Sequence, residues 1–180
     1  MIGLVILQVA LIALNAIFAG TEIAFVSVNE ARLGQLEEEG NKRAKKLKRL
    51  MQNPSGFLAT IQVAITLSGF LGAAFASDSF ADKLTQVLLR IGIPIPAAVL
   101  DTISVILVTL IISYFSIVFG EMVPKRIAMR NAEQFSLRMA GSVQVIAKLF
   151  APLVWLLTKS TNVTLRILGI DPNAQEEEVT

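Results

Sequence analysis

Three long stretches of the chain contain no charged residue, and no other feature limits the possible folds as strongly. They cover residues 1–21, 50–77 and 102–120. A helix crosses the hydrocarbon core of a bilayer with about 20 mostly apolar residues, so each stretch is long enough to span it. Because 54% of the 180 residues are hydrophobic, little sequence is left for a soluble core. The alternative, a soluble all-α protein with buried helices, fits this pattern less well.

We therefore predict an all-α integral membrane protein that contacts the lipid bilayer in a single transmembrane domain. Its three transmembrane helices are expected at about residues 1–28, 57–77 and 101–120. The first of these is a permanent span rather than a secretory signal, because a signal peptide carries basic residues before its apolar core. Here the first basic residue, Arg32, follows that core.

The segment between the first two spans, residues 30–53, has the pattern of a basic helical hairpin that turns at Gly40-Asn41. Small or apolar residues recur there at steps of three and four, which places them on one helical face. These residues are Leu33, Leu36, Gly40, Ala44, Leu47 and Met51. Six basic residues lie between Lys42 and Arg49. Between two spans, such a segment indicates a membrane surface rather than a nucleic acid as its partner.

The distribution of basic residues predicts the orientation in the membrane. Besides the hairpin, the stretch after the third span is basic, with Lys125, Arg126 and Arg130. The connection over residues 78–101 has only Lys83 and Arg90. The positive-inside rule then predicts an external N-terminus, an external 78–101 loop, and a cytoplasmic hairpin and C-terminus in the inner (plasma) membrane.

A further apolar segment covers residues 133–169, but Arg138, Lys148 and Pro152 interrupt it. We expect juxtamembrane helices that lie in the interface along the cytoplasmic rim. A fourth span is the alternative.

The chain has no cysteine and no histidine, which excludes several classes of chemistry. Disulfides, thiolate sites, cysteine nucleophiles and Ser-His-Asp triads all need atoms that are missing here. Zinc and copper lose their usual ligands as well. A bound metal would need oxygen ligands, which favours magnesium, calcium or an alkali ion, and we predict that the protein is not an enzyme.

The residues after the third span, Gly120-Glu121-Met122-Val123-Pro124-Lys125, suggest a cation site. A proline inside a helix has no N–H for the carbonyl four residues earlier, here that of Gly120. In a membrane such a carbonyl needs another partner. With the adjacent Glu121 carboxylate it could hold a hard cation. The alternative is a helix that ends at the interface, with Glu121 in water.

Polar residues in the other two spans could complete such a site. Glu22, next to Gly20 and Thr21, falls at a depth comparable to Glu121, and acidic residues near spans are functional candidates. Thr66 and Ser68 precede Gly69 in the second span, although small hydroxyl residues there more often serve helix packing. Asn15 needs a partner too. Together these residues could form an oxygen site between three helices.

The order of these elements resembles the transmembrane domain of the CorC/CNNM (cyclin M) family. The similarity is carried by Asn15-Ala-Ile-Phe-Ala-Gly-Thr-Glu22-Ile-Ala24, Asn29-Glu-Ala-Arg-Leu33, Thr60-Ile-Gln-Val-Ala-Ile-Thr66-Leu and Gly120-Glu-Met-Val-Pro-Lys125. Either of the two outer elements alone would be weak evidence, but their combination in this order is specific.

The resemblance implies a homodimeric Mg²⁺ transporter that couples efflux to Na⁺ entry. On the matching positions it implies that Glu121 is the acidic ligand and Gly120 the carbonyl donor, and Thr21 falls where many members have a serine-type residue. We expect Ser68 and Thr66 to add hydroxyl ligands. Asn15, Glu22, Gly20, Gly69, Pro124 and Lys125 would support them. It also implies that the full-length protein continues into cytoplasmic CBS domains that bind ATP, which this chain does not include.

The second span departs from the family pattern, in which many relatives have two asparagines. This chain has Ala64-Ile-Thr-Leu-Ser-Gly69 instead, so Ser68 or Thr66 would have to replace an amide ligand. Two alternatives therefore stay open. One is a membrane-anchoring, dimerising sensor, and the other is an exporter of another cation such as a polyamine.

Overall fold

The computed structural model describes residues 2–171, except for the side chain of Asp78, and within this range the chain is helical and has no strand. The helices are α1 (Ile2–Val26), α2 (Glu30–Glu38), α3 (Lys42–Met51), α4 (Pro54–Ala76), α5 (Asp82–Arg90), α6 (Ala97–Ile117), α7 (Val123–Arg130) and α8 (Ala132–Ile167). Two π-helical turns, Ser77–Ala81 and Val118–Met122, join α4 to α5 and α6 to α7.

The second and third long helices are longer than the sequence pattern predicts. The helix that begins at Pro54 does not stop at residue 77 but continues to Arg90, so most of the predicted 78–101 loop is helical. Charged residues at its end do not break a helix, whereas the prolines at 94 and 96 do, and the chain turns between Arg90 and Ala97. The third helix likewise passes Pro124 and ends at Arg130.

The predicted count of three spans is not confirmed. Within residues 2–171, four helices are long and apolar enough to cross a bilayer, namely Ile2–Val26, Pro54–Arg90, Ala97–Arg130 and Ala132–Ile167. The last replaces the several juxtamembrane helices expected over residues 133–169 with one helix of 36 residues, which retains Pro152 in its interior. Large apolar side chains lie exposed along the outside of the bundle, as lipid contact requires, for example Ile6 on α1 and Ile111 on α6.

The main core lies where α1, the hairpin, α4 and α8 meet. The rings of Phe25 and Phe57 stack with centroids 3.6 Å apart. Leu47 from α3 and Val143 from α8 are each 1% exposed in the same cluster. Leu33, Ala44 and Leu47 on the apolar face of the hairpin are thus buried against protein, with Leu36 and Met51 partly buried beside them.

The hairpin turn is a Schellman motif followed by an N-cap. Gly40 has a φ of 84°, its N–H donates to Glu37 O, and the Asn41 N–H donates to Leu36 O. The Asn41 side chain then accepts from the N–H groups of Arg43 and Ala44 at the start of α3. These contacts reverse the chain within two residues.

One ion pair joins the two hairpin helices on their outer face. The Lys48 ammonium donates to Glu37 Oε2 at 2.6 Å, and this hydrogen bond holds the pKa of Glu37 below its ordinary value. The pair's contribution to stability is present above the unfolded pKa of Glu37 and is lost as the pH falls through the lower folded value. Because both groups are exposed, that contribution is small.

Substitution of two hairpin glycines should change stability in opposite directions. Gly40→Ala places a Cβ in the left-handed region and should destabilise the fold by about 1–2 kcal/mol. Gly34 lies inside α2 with no atom within 4 Å of a built Cβ, so Gly34→Ala should stabilise it by roughly 0.5–1 kcal/mol. Thermal unfolding of both variants in the same detergent would check this. Equal shifts of Tm for the two variants would contradict the assigned turn.

Candidate functional site

A cavity of about 300 Å³ lies between α1, α4 and α6 and extends to the π-helical turn after α6. Leucine, isoleucine, phenylalanine, alanine and glycine form most of its wall. The polar residues that line it are Gln8, Asn15, Thr66, Ser68, Ser113, Ser116 and Glu121. Four of the residues predicted from sequence therefore meet here with oxygen-bearing side chains: Asn15, Thr66, Ser68 and Glu121.

Asn15 connects α1 to the π-helical turn. Its Nδ2 donates to the Gly120 carbonyl at 3.0 Å, and the contact is buried. Gly120 permits this approach, because a Cβ there would lie 3.2 Å from Asn15 Nδ2 and 3.4 Å from the Ile12 carbonyl oxygen. The bond uses the amide nitrogen and leaves Asn15 Oδ1, which is buried, without a hydrogen-bond partner among the described residues.

The π-helical turn determines where Glu121 lies. The Val123 N–H donates to Val118 O, five residues earlier, so the turn holds one residue more than an α-helical turn. Residues five apart can then share a face, and Glu121 lines the cavity together with Ser116. Pro124 follows in the first turn of α7, where a missing N–H is tolerated best.

The Gly120 carbonyl oxygen has a hydrogen-bond partner that the sequence did not predict. We expected Pro124 to leave this oxygen for a cation, and in the structure the Asn15 amide donates to it. Gly120 is not among the residues that line the cavity. Gly120 itself is buried.

Gln8 belongs to the site although the sequence analysis did not select it. It is 6% exposed, lines the cavity, and its Oε1 has no hydrogen-bond partner among residues 2–171. Gly72 on α4 gives it room, because a Cβ there would lie 3.2 Å from Gln8 Nε2. The available signal was spacing: Gln8, Asn15 and Glu22 are seven residues apart, nearly two helical turns, and so form one stripe on α1.

Ser113 and Ser116 on α6 are further lining residues that the sequence analysis did not select. They are three residues apart and therefore share a helical face. On α4, Ser68 is 5% exposed and Thr66 accepts a hydrogen bond from Gln62 at 3.3 Å. Gly69 lies beside them in the wall of the cavity.

The structure does not bring Thr21 and Gly20 to this cavity. Thr21 is six residues after Asn15 and so points about 120° away from it around α1. Its hydroxyl donates to the Ile17 carbonyl at 2.7 Å, and its side chain borders Phe25, Ser136 and Ala140 in the main core. At Gly20 a Cβ would lie 3.1 Å from the Phe135 ring, so this glycine serves packing against α8.

Lys125 links two carboxylates at the C-terminal end of the stripe on α1. Its Nζ lies 2.9 Å from Glu121 Oε1 and 3.1 Å from Glu22 Oε2. The three side chains are between 27% and 42% exposed, so they are neither fully buried nor free in water. Within residues 2–171 no group of three or more acidic residues could hold a metal, and any metal ligands beyond Glu121 at the cavity would be neutral oxygens.

Comparison with known proteins agrees with this architecture. The chain is 41% identical over 160 residues to a UPF0053 protein of Synechocystis sp. and 31% identical over 167 residues to the UPF0053 protein YhdT of Bacillus subtilis. These alignments cover 89% and 93% of this chain. It is also 29% identical over 164 residues, 90% of this chain, to a polyamine export protein of Haemophilus influenzae.

The chain spans only 35–37% of the length of these three relatives. Residues 6–180 match the family model of the cyclin M transmembrane N-terminal domain. The match covers nearly the whole chain and confirms the resemblance carried by the sequence motifs. The chain is therefore a multi-pass membrane domain that belongs to the cyclin M transmembrane family, together with the UPF0053 proteins.

Proposed function

We propose that this domain transports a cation through the cavity between α1, α4 and α6. The observation that carries the proposal is a pair of amide side chains, Asn15 and Gln8, that line one cavity and whose buried oxygens have no hydrogen-bond donor among residues 2–171. A buried acceptor without a partner is costly, and a cation or its water shell would satisfy it. The Glu121 carboxylate adds a negative charge to the same cavity.

The proposed cargo is Mg²⁺, which prefers six oxygen ligands in octahedral geometry and keeps part of its water shell. Glu121, Asn15, Ser68 and Thr66 are the proposed ligands at the cavity, and the Gly120 carbonyl next to Glu121 is proposed as a further one. Thr21 is not part of this set, because its hydroxyl lies on another face of α1. A water molecule takes up about 30 Å³, so the cavity has room for an ion with several waters.

The missing asparagines of the second span do not leave the cavity without amide oxygens. Gln8 and Asn15 on α1 bring two amide side chains to the cavity, and Thr66 and Ser68 on α4 line it as well. The amide ligands would thus come from the first helix in this chain.

The family resemblance supports the remaining parts of the proposal. These are efflux coupled to Na⁺ entry, assembly as a homodimer in the plasma membrane, and CBS domains that bind ATP in the longer proteins. Competition between Na⁺ and Mg²⁺ for the Glu121 carboxylate would be a simple basis for coupling.

We further propose three spans, with the hairpin and α8 on the cytoplasmic side. The first half of α8 supports this arrangement, because Ala140 and Val143 pack into one cluster with Ala44 and Leu47 of the basic helix α3. A helix that begins beside a highly charged hairpin begins at the membrane surface. Arg138 and Lys148 in the same helix favour a path along that surface.

Export of an organic amine is the second candidate function. The Lys125 ammonium, held between Glu22 and Glu121, shows that these carboxylates can bind a primary ammonium group. The similar Haemophilus influenzae protein is named as a polyamine exporter. The third possibility, an anchor or sensor, requires no ion binding by the cavity at all.

Removal of the cavity's charge should weaken Mg²⁺ binding most. Glu121→Gln should raise the Kd for Mg²⁺ roughly a hundredfold and Ser68→Ala roughly tenfold, since the first removes a charge and the second a neutral ligand. Ser104→Ala is the matched control, because Ser104 is a buried serine on α6 that does not line the cavity. Calorimetry in detergent and flux into liposomes, each with Mg²⁺ and with spermidine, would measure these effects.

An unchanged Kd for Mg²⁺ in Glu121→Gln would show that the cavity is not the ion site and would favour the membrane anchor or sensor. Binding of spermidine but not Mg²⁺ to the unmodified protein would favour the amine exporter.

Single cysteines can test the topology cleanly, because the chain has none of its own. Three exposed positions suit such a test: Lys46 on α3, Arg90 at the end of α5 and Arg166 near the end of α8. Each would be replaced singly, as Lys46→Cys, Arg90→Cys and Arg166→Cys. With three spans, a membrane-impermeant maleimide should label Lys46→Cys and Arg166→Cys from the cytoplasmic side and Arg90→Cys from the other side. Labelling of Arg166→Cys together with Arg90→Cys would instead show that α8 crosses the membrane.

A further inference from the structure

Lys125 forms an ion pair with the Glu121 carboxylate, which the proposed function assigns to the transported cation. Its ammonium lies 2.9 Å from Glu121 Oε1, the distance of a charge-assisted hydrogen bond. The same ammonium lies 3.1 Å from Glu22 Oε2 on another helix. Glu121 and Lys125 are four residues apart in one helical segment, whereas Glu22 belongs to α1, so the ammonium has one partner on each side of a helix interface.

We infer that Lys125 is an internal counter-cation which the transported cation displaces from Glu121, and that Glu22 holds the displaced ammonium. This inference rests on the proposed function and adds a residue that determines affinity and release. Lys125 is not a ligand of the cargo; it acts through Glu121.

The charges of the three groups give the physical reason. Two carboxylates and one ammonium leave one net negative charge, so a divalent cation beside Glu121 would face the positive charge of Lys125 within a few ångströms. Repulsion at that distance is substantial in a partly buried site. Movement of the ammonium away from Glu121, toward Glu22, relieves it without leaving either carboxylate unpaired.

The lysine side chain suits such a movement. Its ammonium is a compact point charge on a flexible four-carbon stem, and it can rotate its donors between two acceptors. The side chain is 30% exposed, so no packed core holds it in place. When the cargo leaves, the return of Lys125 neutralises Glu121 again, which keeps affinity low enough for release.

Neutral replacement of Lys125 tests the inference directly. Lys125→Met should lower the Kd for Mg²⁺ roughly tenfold or more, because a nearby positive charge is removed and Glu121 is left free. Flux into liposomes should fall in the same variant, since the ion then leaves slowly. Lys125→Gln should lower the Kd for Mg²⁺ as well, and it provides the test if Lys125→Met does not fold. Lys125→Arg retains the positive charge and should keep a Kd close to that of the unmodified protein.

Lys48→Met is the matched control, because Lys48 is also paired with a glutamate but lies on the hairpin. Its Kd for Mg²⁺ should not change. A different result is expected if Lys125 only stabilises the contact between α1 and α7. Lys125→Met and Lys125→Gln would then both lose thermal stability and bind Mg²⁺ no more tightly than the unmodified protein.

The role of Glu22 can be separated by a double-mutant cycle. Glu22→Gln alone should weaken Mg²⁺ binding, because the displaced ammonium loses its second partner. In the Lys125→Met background the same substitution should have a much smaller effect. If Glu22→Gln weakened Mg²⁺ binding equally in both backgrounds, Glu22 would attract the cation independently of Lys125, and its role as the second partner of the ammonium would be wrong.

These results distinguish failure of the inference from failure of the proposed function. If the unmodified protein binds Mg²⁺ and both neutral Lys125 variants bind it equally or more weakly, the inference is wrong and the transport site stands. If neither the unmodified protein nor the neutral variants bind Mg²⁺, both are wrong. Binding that is detectable only after Lys125 is neutralised would support both.

Discussion

The hydrogen bond from the Asn15 amide to the Gly120 carbonyl is the contact on which the candidate site depends. It joins α1 to the π-helical turn at a close approach that glycine favours, because a Cβ would lie 3.2 Å from the amide nitrogen and 3.4 Å from the Ile12 carbonyl oxygen. The amide nitrogen of Asn15 is thereby fixed by protein, while its Oδ1 is buried without a hydrogen-bond partner among the described residues. The same contact gives a partner to a carbonyl that would otherwise be costly to bury within the membrane bundle.

Along α1, the polar side chains near this contact change from neutral amides to a charged carboxylate. The side chains of Gln8 and Asn15 line the cavity, and the Glu22 carboxylate follows them toward the C-terminal end of α1, where Lys125 pairs with it. The stripe thus passes from buried amides to partly exposed charges, which is an arrangement that favours a cation over an anion. The apolar walls around it keep the dielectric constant low, so each of these oxygens interacts more strongly than it would in water.

The sequence predicted part of this site and missed part of it for identifiable reasons. Glu121, Ser68 and Asn15 stood out as polar groups within apolar stretches, whereas Ser113 and Ser116 were counted as ordinary members of a span. Thr21 was selected because it adjoins Glu22, but adjacent helical residues point in directions about 100° apart. The charge pattern predicts helices that are too short, because Asp82 and Lys83 do not end the second long helix, which continues to Arg90. The π-helical turn left no signal except Pro124 itself.

The sequence by itself determined the membrane class, the family and the helical hairpin with its turn at Gly40. It also excluded thiol and imidazole chemistry, since those atoms are absent. These properties follow from local composition and spacing, which a single chain displays directly. Only the tertiary structure decided that Lys125 lies between Glu22 and Glu121, that the Asn15 amide takes the Gly120 carbonyl, and that Gln8 faces the cavity. Such contacts join residues up to 105 positions apart, and their geometry depends on how the helices cross and on one extra residue in a turn.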